Sequence, residues 1–341
     1  MGLYWLGWLG SGKSASVRNP GLRAGVSVPC GWRSGHWAYP ALSRCSGAAV
    51  PAVSRLRTTL CIAALALTGA LLAGCSTVRL AYNQVPHLAY WQLNRYLDLS
   101  DAQTERVRGD LGELHRWHRD TMLPQHAELL QRVQQQLPAT ITAEQACRIY
   151  EEARAQLDRV LAQAEPKVVW LASQLTEAQI RNLERKQADS NADWKSEWLD
   201  PPPDKLRERR FKDLSSRLET FYGPLDEPQK AVLRAFVAQS AFDPRRTYAE
   251  RVRRQKDLVQ VLRSIQADRS NTAQARTLML GFLDRVVTSP DGAYQRYAQA
   301  LVAEGCEGFA RLHNAMTPAH RLRAAQSLKG YEQDFLLLAA R

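Results

Sequence analysis

The stretch "ITAEQACRIYEEARAQLDRVL", residues 141–161, contains the two signals that decide the fold. Thr142 is followed three residues later by Gln145, an arrangement in which the hydroxyl caps a helix start and the amide reaches back to the cap residue. The apolar residues that come next recur at helical spacing, namely Ala146, Ile149, Ala153, Leu157, Val160 and Leu161. Because charged side chains fill the other faces, the stretch predicts an amphipathic α-helix.

The same capping pattern, an apolar residue followed by Ser, Thr or Asp and then by Gln, recurs along the chain. Four copies begin at Leu99, Ile141, Leu175 and Leu225, and a degenerate fifth begins at Met316. Their unequal spacing argues against a solenoid repeat. The copy "LTEAQ" also resembles a motif of small helical periplasmic chaperones, so helix capping and a chaperone relationship are both open interpretations.

No alternating strand pattern of useful length follows Cys75, and helical spacing recurs over residues 232–237 and 278–287. We therefore predict an all-α fold, an elongated multi-helix bundle. Pro201-Pro202-Pro203 cannot lie inside a helix. The mature chain is accordingly predicted to consist of an N-terminal helical half, residues 75–200, and a C-terminal helical half, residues 201–341.

Residues 53–74 have the features of a lipoprotein signal peptide. Arg55 and Arg57 precede an apolar run from Leu60 to Ala73, which is too short to span a bilayer comfortably and is typical of a signal sequence. Small residues before the cysteine admit a signal peptidase, and the Cys75 thiol can then accept a diacylglycerol group. We predict cleavage between Gly74 and Cys75 and an acyl anchor, including palmitate, on Cys75.

Ser76 follows the acylated cysteine, where lipoproteins retained at the inner membrane commonly have Asp. The predicted location is therefore the periplasmic face of the outer membrane.

No methionine lies between Met1 and Met122, whereas Val53 opens a signal peptide of ordinary length. We predict that translation starts near Val53 and that residues 1–52 are a mis-called, disordered extension.

The predicted extension contains a match to the phosphate-binding loop G-x-x-x-x-G-K-[ST] at Gly7–Ser14. Such a loop must open a helix, but Pro20 and two glycines follow, and no carboxylate occurs before Asp98 to assist Mg²⁺. Residues 1–74 also contribute seven basic and no acidic side chains to the formal net charge of +12, which leaves +5 for the remainder. The sequence therefore favours neither a nucleotide nor a nucleic acid as partner.

Only two cysteines follow Cys75, namely Cys147 and Cys306. In an exported domain such a pair can form one disulfide. The alternative is two unpaired thiols that are buried as small apolar side chains.

Two histidines are the main candidates for chemistry. His115 and His118 are three residues apart on a predicted helix and share a face. With Asp110, Glu113 or His126 they could bind a metal ion, although a zinc site requires three or four ligands. The mature part contains no G-x-S-x-G motif, Cys/His pair or Gly-rich cofactor turn. We therefore predict a non-enzymatic protein without metal or cofactor, with a metal-assisted cell-envelope hydrolase as the alternative.

The N-terminal part of the mature chain contains a distinctive set of residues, namely Tyr82, Asn83, Tyr96, Asp98, Asp101, Gln103, Trp117, His118, Arg119, Leu123 and Pro124. In these residues it resembles a family of uncharacterised proteobacterial lipoproteins. The resemblance implies an envelope lipoprotein of unassigned activity. Within this set, Tyr82, Asn83, Trp117, His118 and Arg119 form a candidate interaction surface.

Several aromatic residues lie close to the predicted anchor, among them Tyr90, Trp91 and Tyr96, with Arg95 between them. They either rest near the membrane surface or pack in the core. The function predicted from the sequence is that of a lipid-anchored periplasmic protein. Its partner is predicted to be another envelope protein or an unfolded client.

Overall fold

The computed structural model describes residues 77–341, which form an all-α helical bundle and confirm the predicted fold class. The described part contains no β-strand. The helices are α1 Thr77–Asn83, α2 Val85–Leu97, α3 Asp101–Trp117, α4 Leu123–Gln136, α5 Ala143–Gln174, α6 Glu177–Trp198, α7 Pro203–Tyr222, α8 Glu227–Gln239, α9 Pro244–Ala267, α10 Thr272–Val287, α11 Gly292–Asn314 and α12 Pro318–Ala339. The predicted extension, the signal peptide and Cys75 lie outside these residues.

All five predicted capping residues begin a helix, which confirms this part of the sequence analysis. They are Ser100 before α3, Thr142 before α5, Thr176 before α6, Asp226 before α8 and Thr317 before α12. At α6 the Gln179 N–H donates to Thr176 Oγ1 at 3.3 Å, and the Thr176 N–H donates to Gln179 Oε1 at 2.9 Å. Local sequence therefore determines where these helices begin.

The capping residues also join helices to one another, which the sequence pattern does not indicate. Gln179 Nε2 donates to Gln103 Oε1 at 2.6 Å, so the starts of α6 and α3 are linked by a buried contact. Gln229 Nε2 contacts His320 Nδ1 at 3.1 Å, and this contact links the starts of α8 and α12. Each glutamine thus caps its own helix and contacts the first turn of a second helix.

Two clusters of buried apolar side chains lie within residues 77–341. The first joins the end of α2 and the C-terminal part of α5 to α6, α9 and α10, with Ile180, Ile265 and Met279 among its most buried members. The second joins α7, α8, α11 and α12 to Leu137, and Leu233 is fully buried in it. Each cluster therefore contains residues from both sides of Pro201.

The helix interruption at Pro201-Pro202-Pro203 is confirmed, because α6 ends at Trp198 and α7 begins at Pro203. The division of the mature chain into two helical halves, residues 75–200 and residues 201–341, remains a prediction. Among residues 77–341, none of the helices combines the length and apolar composition needed to cross a lipid bilayer.

Candidate functional site

The short first helix is held on the rest of the protein by side chains that the sequence analysis selected. Tyr82 Oη contacts His118 Nδ1 at 3.0 Å, and Arg119 donates to Asn83 Oδ1 at 2.7 Å. Arg79 forms an ion pair with Asp334 of α12 at 3.1 Å. Four of the five residues of the candidate interaction surface thus contact one another across α1 and the end of α3. The fifth, Trp117, is half-buried at the last position of α3.

A π-helical turn at His118–Met122 places the next residues of the site. The Leu123 N–H donates to the carbonyl oxygen of His118, five residues earlier. Pro124 follows and lacks an N–H, so it cannot complete a regular helical bond here. Two residues eight positions apart are about 80° apart around a regular α-helix. The wider π-turn reduces this rotation and brings His126 beneath His118.

The resulting cluster is a chain of hydrogen bonds, which we call the Tyr–His chain: Tyr82, His118, His126 and Gln156. His118 Nε2 and His126 Nε2 are 3.4 Å apart, and His126 Nδ1 makes a short contact with Gln156 Oε1. Gln156 Nε2 donates to the Gln125 carbonyl at 3.2 Å, which fixes the orientation of the amide. The chain joins α1, the π-turn, α4 and α5.

The fixed amide of Gln156 determines the protonation of every member of the chain. Because Gln156 Oε1 can only accept, His126 Nδ1 carries a proton and His126 Nε2 is an acceptor. His118 Nε2 then donates to His126, and His118 Nδ1 accepts from the Tyr82 hydroxyl. Burial raises the pKa of Tyr82, so its hydroxyl keeps the proton that this arrangement needs.

Burial also keeps the histidines of the site neutral. Burial, followed by the nearby His126 and His115, lowers the pKa of His118 to about 4. Burial likewise lowers the pKa of His126 and of His115. His115 Nε2 contacts the Tyr82 carbonyl oxygen at 3.1 Å, which is how it helps to hold α1. At neutral pH the site therefore has no net charge from its imidazoles.

These contacts determine what the site can do chemically. Neutral imidazoles can bind a metal ion, but within residues 77–341 no three His, Cys, Asp or Glu side chains are grouped to hold one. Both ring nitrogens of His118 already have hydrogen-bond partners. The arrangement accordingly suits the attachment of α1 to α4 and α5.

The structure joins Cys147 and Cys306 by a disulfide with an S–S distance of 2.03 Å. The bond connects the first turns of α5 to the middle of α11 and lies beside an open groove. This groove, which we call the α5 groove, has a volume of about 310 Å³ and is lined mainly by apolar side chains. Its walls are α5 from Ala146 to Leu161, Val287 of α10 and Phe309 of α11.

The α5 groove is built from the apolar stripe with which the sequence analysis began. An amphipathic helix ordinarily buries such a stripe against the core. Here Ala146 is buried, but Leu157 and Leu161 are 42% and 36% exposed. Sequence reasoning identified the stripe and missed that Leu157 and Leu161 remain exposed, because local periodicity does not indicate which neighbouring helix covers a face.

Sequence reasoning also missed Gln156, and it considered His126 only as a metal ligand. A partial signal was present in Pro124, because a proline shortly after a histidine-rich helical segment disturbs the regular turn. Residues 96–103, which carry part of the family resemblance, prove to be structural. Asp98 adopts the left-handed conformation at the end of α2, with φ of 52°, and its carbonyl accepts from Gln179 Nε2 at 3.0 Å.

The fold and site define an all-α helical-bundle protein with a neutral, half-buried Tyr–His chain beside its first described helix. The chain belongs to the family of unknown function DUF6279, whose model matches residues 95–280. A search of curated proteins found no match, and neither did a search of solved structures.

Proposed function

We propose that the protein is a lipid-anchored periplasmic protein of the outer membrane that binds a helical segment of another envelope protein and has no catalytic activity. The observation that carries the proposal is the α5 groove, an apolar surface that residues 77–341 leave open. Exposed apolar surface of this kind is characteristic of interaction sites. The anchor is supported by the signal-peptide features of residues 53–75 and by the position of α1, which begins two residues after Cys75.

The dimensions of the α5 groove favour an amphipathic helix as the occupant. From Ala146 to Leu161 the wall formed by α5 is about 22 Å long, which matches four turns of a second helix. Its apolar floor would receive the apolar stripe of the partner, and Arg154 and Asp158 line the groove with one charge of each sign. This is the helix-in-groove mode of peptide recognition.

Crosslinking in intact cells tests the partner. A photoreactive amino acid at position 157 is expected to form one discrete protein adduct, which mass spectrometry identifies as an envelope protein. The matched control is position 322, because Leu322 is also an exposed leucine, at 55%, and lies on α12 outside the groove. Ala153→Glu places a charge in the groove and is expected to reduce the adduct at least tenfold.

Three outcomes of this experiment would contradict the proposed partner. One is equal adducts from positions 157 and 322, and another is an adduct that Ala153→Glu leaves unchanged while urea unfolding shows an intact fold. The third is a broad set of adducts that grows after heat stress, which would indicate unfolded clients and the chaperone interpretation.

Metabolic labelling with palmitate tests the anchor separately. The wild-type protein is expected to incorporate label and to fractionate with the outer membrane, and Cys75→Ser is expected to remain unlabelled. Label on Cys75→Ser, or no label on the wild type, would contradict acylation at this residue.

A second candidate, metal-assisted hydrolysis in the cell envelope, is favoured by one contact. The Nε2 atoms of His118 and His126 face each other at 3.4 Å, and both imidazoles are neutral, as metal binding requires. Residues 77–341 supply no group of three His, Cys, Asp or Glu ligands, so an ion here would need further ligands besides these two histidines. The candidate predicts a stoichiometric metal ion in the purified protein and its loss in His118→Ala. Metal-free wild-type protein would contradict it.

A further inference from the structure

The second helix has an exposed apolar face in addition to its buried one. Leu93, Tyr96 and Leu97 pack in the first core cluster. On the other side, Leu88 and Trp91 are 58% and 57% exposed. A helix that is apolar on both sides requires a second apolar environment.

The exposed apolar residues concentrate at this end of the chain. Val85 of α2 and Leu80 of α1 are also exposed, so four of the thirteen exposed large apolar residues in the described part lie between positions 80 and 91. Single exposed apolar residues are ordinary on protein surfaces, whereas a group of four within twelve residues is not. We call Leu80, Val85, Leu88 and Trp91 the outer face.

The charges beside the outer face are positive. Residues 77–97 contain no Asp or Glu, and of their two arginines Arg95 is exposed whereas Arg79 is paired with Asp334. The Arg95 guanidinium lies 5.5 Å from the centre of the Trp91 ring, and that of Arg108 lies 4.2 Å from the Tyr90 ring. Helices that lie in the surface of a membrane typically combine an apolar face with Trp and with Arg side chains that meet anionic headgroups.

The position of the first helix indicates what covers the outer face. α1 begins at Thr77 and is fixed to the remainder by the Tyr82, Asn83 and Arg79 contacts described above. Two residues extend at most about 7 Å. An acyl chain on Cys75 would therefore hold α1 and the adjoining start of α2 close to the lipid headgroups.

We propose that the outer face of α1 and α2 lies in the surface of the lipid bilayer, with Trp91 at the headgroup level and Arg95 beside lipid phosphates. The inference rests on the proposed acylation of Cys75 for its choice of lipid over a protein partner. It gives the anchored protein a defined orientation on the membrane, with α2 against the lipid.

Fluorescence quenching by brominated lipids tests this orientation. The acylated protein is reconstituted in vesicles of mainly phosphatidylethanolamine with a minority of phosphatidylglycerol, in which the acyl chains carry bromine near the headgroup. Tryptophan emission of the wild type is expected to be quenched, and Trp91→Phe is expected to lose most of that quenching. Trp194→Phe serves as the control, because Trp194 lies on α6, is half-buried and stacks on Trp198 and Tyr248, and it is expected to retain the quenching.

A matched pair of charge substitutions gives an independent measurement. Leu88→Glu is expected to reduce the quenching of Trp91, whereas Leu322→Glu, at an equally exposed leucine of α12, is expected to leave it unchanged. Equal quenching in the wild type and Trp91→Phe would overturn the inference. A photoreactive residue at position 88 that forms protein adducts instead of lipid adducts in cells would also overturn it.

Failure of the anchor and failure of the lipid-facing helix are distinguishable. Palmitate labelling is measured on the same preparation as the quenching. Absence of label contradicts the proposed anchor. Quenching of Trp91 in unlabelled protein added to the vesicles would still support the lipid-facing helix.

Discussion

His118 illustrates how a single residue responds to its surroundings. Tyr82 and His126 occupy its two ring nitrogens, and burial lowers its pKa from the ordinary value of 6.5 to about 4. A protonated imidazole donates from both nitrogens, so Tyr82 Oη would have to accept from His118 Nδ1 instead of donating to it. The folded protein therefore disfavours protonation, which the unfolded chain undergoes near pH 6.5.

This difference predicts how stability depends on pH. Between pH 6.5 and about 4 the unfolded chain binds more protons at His118 than the folded protein does, so the free energy of unfolding decreases as the pH falls through this range. Above pH 6.5 His118 is neutral in both the folded and the unfolded state, so the protein keeps the stability that it loses at lower pH. Because His118 is only half-buried and solvent screens part of the effect, the shift corresponds to at most about 3 kcal/mol for this residue.

Urea unfolding between pH 7.5 and pH 4.5 measures the effect. His118→Asn is expected to have a smaller loss of stability over this range than the wild type. His87→Asn, at an exposed position of α2, is expected to follow the wild-type profile. Parallel profiles for wild type and His118→Asn would contradict the role assigned to His118.

At the scale of the helix, the capping glutamines differ in what they contact beyond their own first turn. Gln179 caps α6 and also donates to Gln103 and to the Asp98 carbonyl. Gln145 makes the same local contact with Thr142 in an exposed setting. The two positions therefore separate the local effect of a cap from its tertiary effect.

Substitution of these glutamines by alanine is expected to give unequal losses of stability. Gln145→Ala removes a surface capping bond and should cost about 0.5–1 kcal/mol. Gln179→Ala removes the cap and also the bonds that Gln179 Nε2 donates to Gln103 Oε1 and to the Asp98 carbonyl, and it should cost about 2–3 kcal/mol in total. Equal shifts of the urea midpoint would show that the contact between α3 and α6 contributes nothing.

Helix packing makes a second comparison possible at two glycines. A Cβ atom at Gly308 of α11 would clash with the Phe236 ring of α8, whereas one at Gly330 of α12 would meet no atom within 4 Å. Gly308→Ala is expected to destabilise the protein by about 1–3 kcal/mol. Gly330→Ala is expected to stabilise it by up to about 1 kcal/mol through helix propensity. Thermal or urea unfolding measures both, and shifts of the same sign would contradict the close packing of α8 and α11.

At the scale of the whole molecule, the disulfide closes a long loop. Cys147 and Cys306 are 159 residues apart, and the bond ties the start of α5 to α11 beside the second core cluster. Long α5 therefore has one end fixed to α11 and the other in the first core cluster. Closing so long a loop restricts the unfolded chain strongly.

The double variant Cys147→Ala, Cys306→Ala is expected to lose about 3–5 kcal/mol of unfolding free energy, as measured by urea denaturation. The wild type in the presence of a reductant should lose a similar amount, since the same bond is removed. The double variant is the control for other effects of the reductant. Because it has no disulfide between these positions, the reductant should not change its stability. A wild type insensitive to reductant, although its thiols become accessible to a thiol reagent, would contradict this contribution.

Much of the fold followed from short-range pattern alone. The five helix starts at capping residues, the break at Pro201-Pro202-Pro203 and the all-α class were all predicted, because a cap and a helical repeat involve residues within one or two turns of each other. Residues 95–280 match the model of the DUF6279 family, and the sequence alone predicted an uncharacterised family. Of the candidate site, sequence indicated Tyr82, Asn83, His118 and Arg119 but not what they contact.

Only the tertiary structure decided which faces are covered. The stripe on α5 begins buried at Ala146 and ends exposed at Leu161, and α2 buries Leu97 while Trp91 remains outside. The partnership of His118 with His126 likewise depends on a π-turn and on Gln156 from another helix. Helical periodicity depends on residues close together in the chain, whereas burial depends on the arrangement of helices far apart in it, which no short segment of sequence contains.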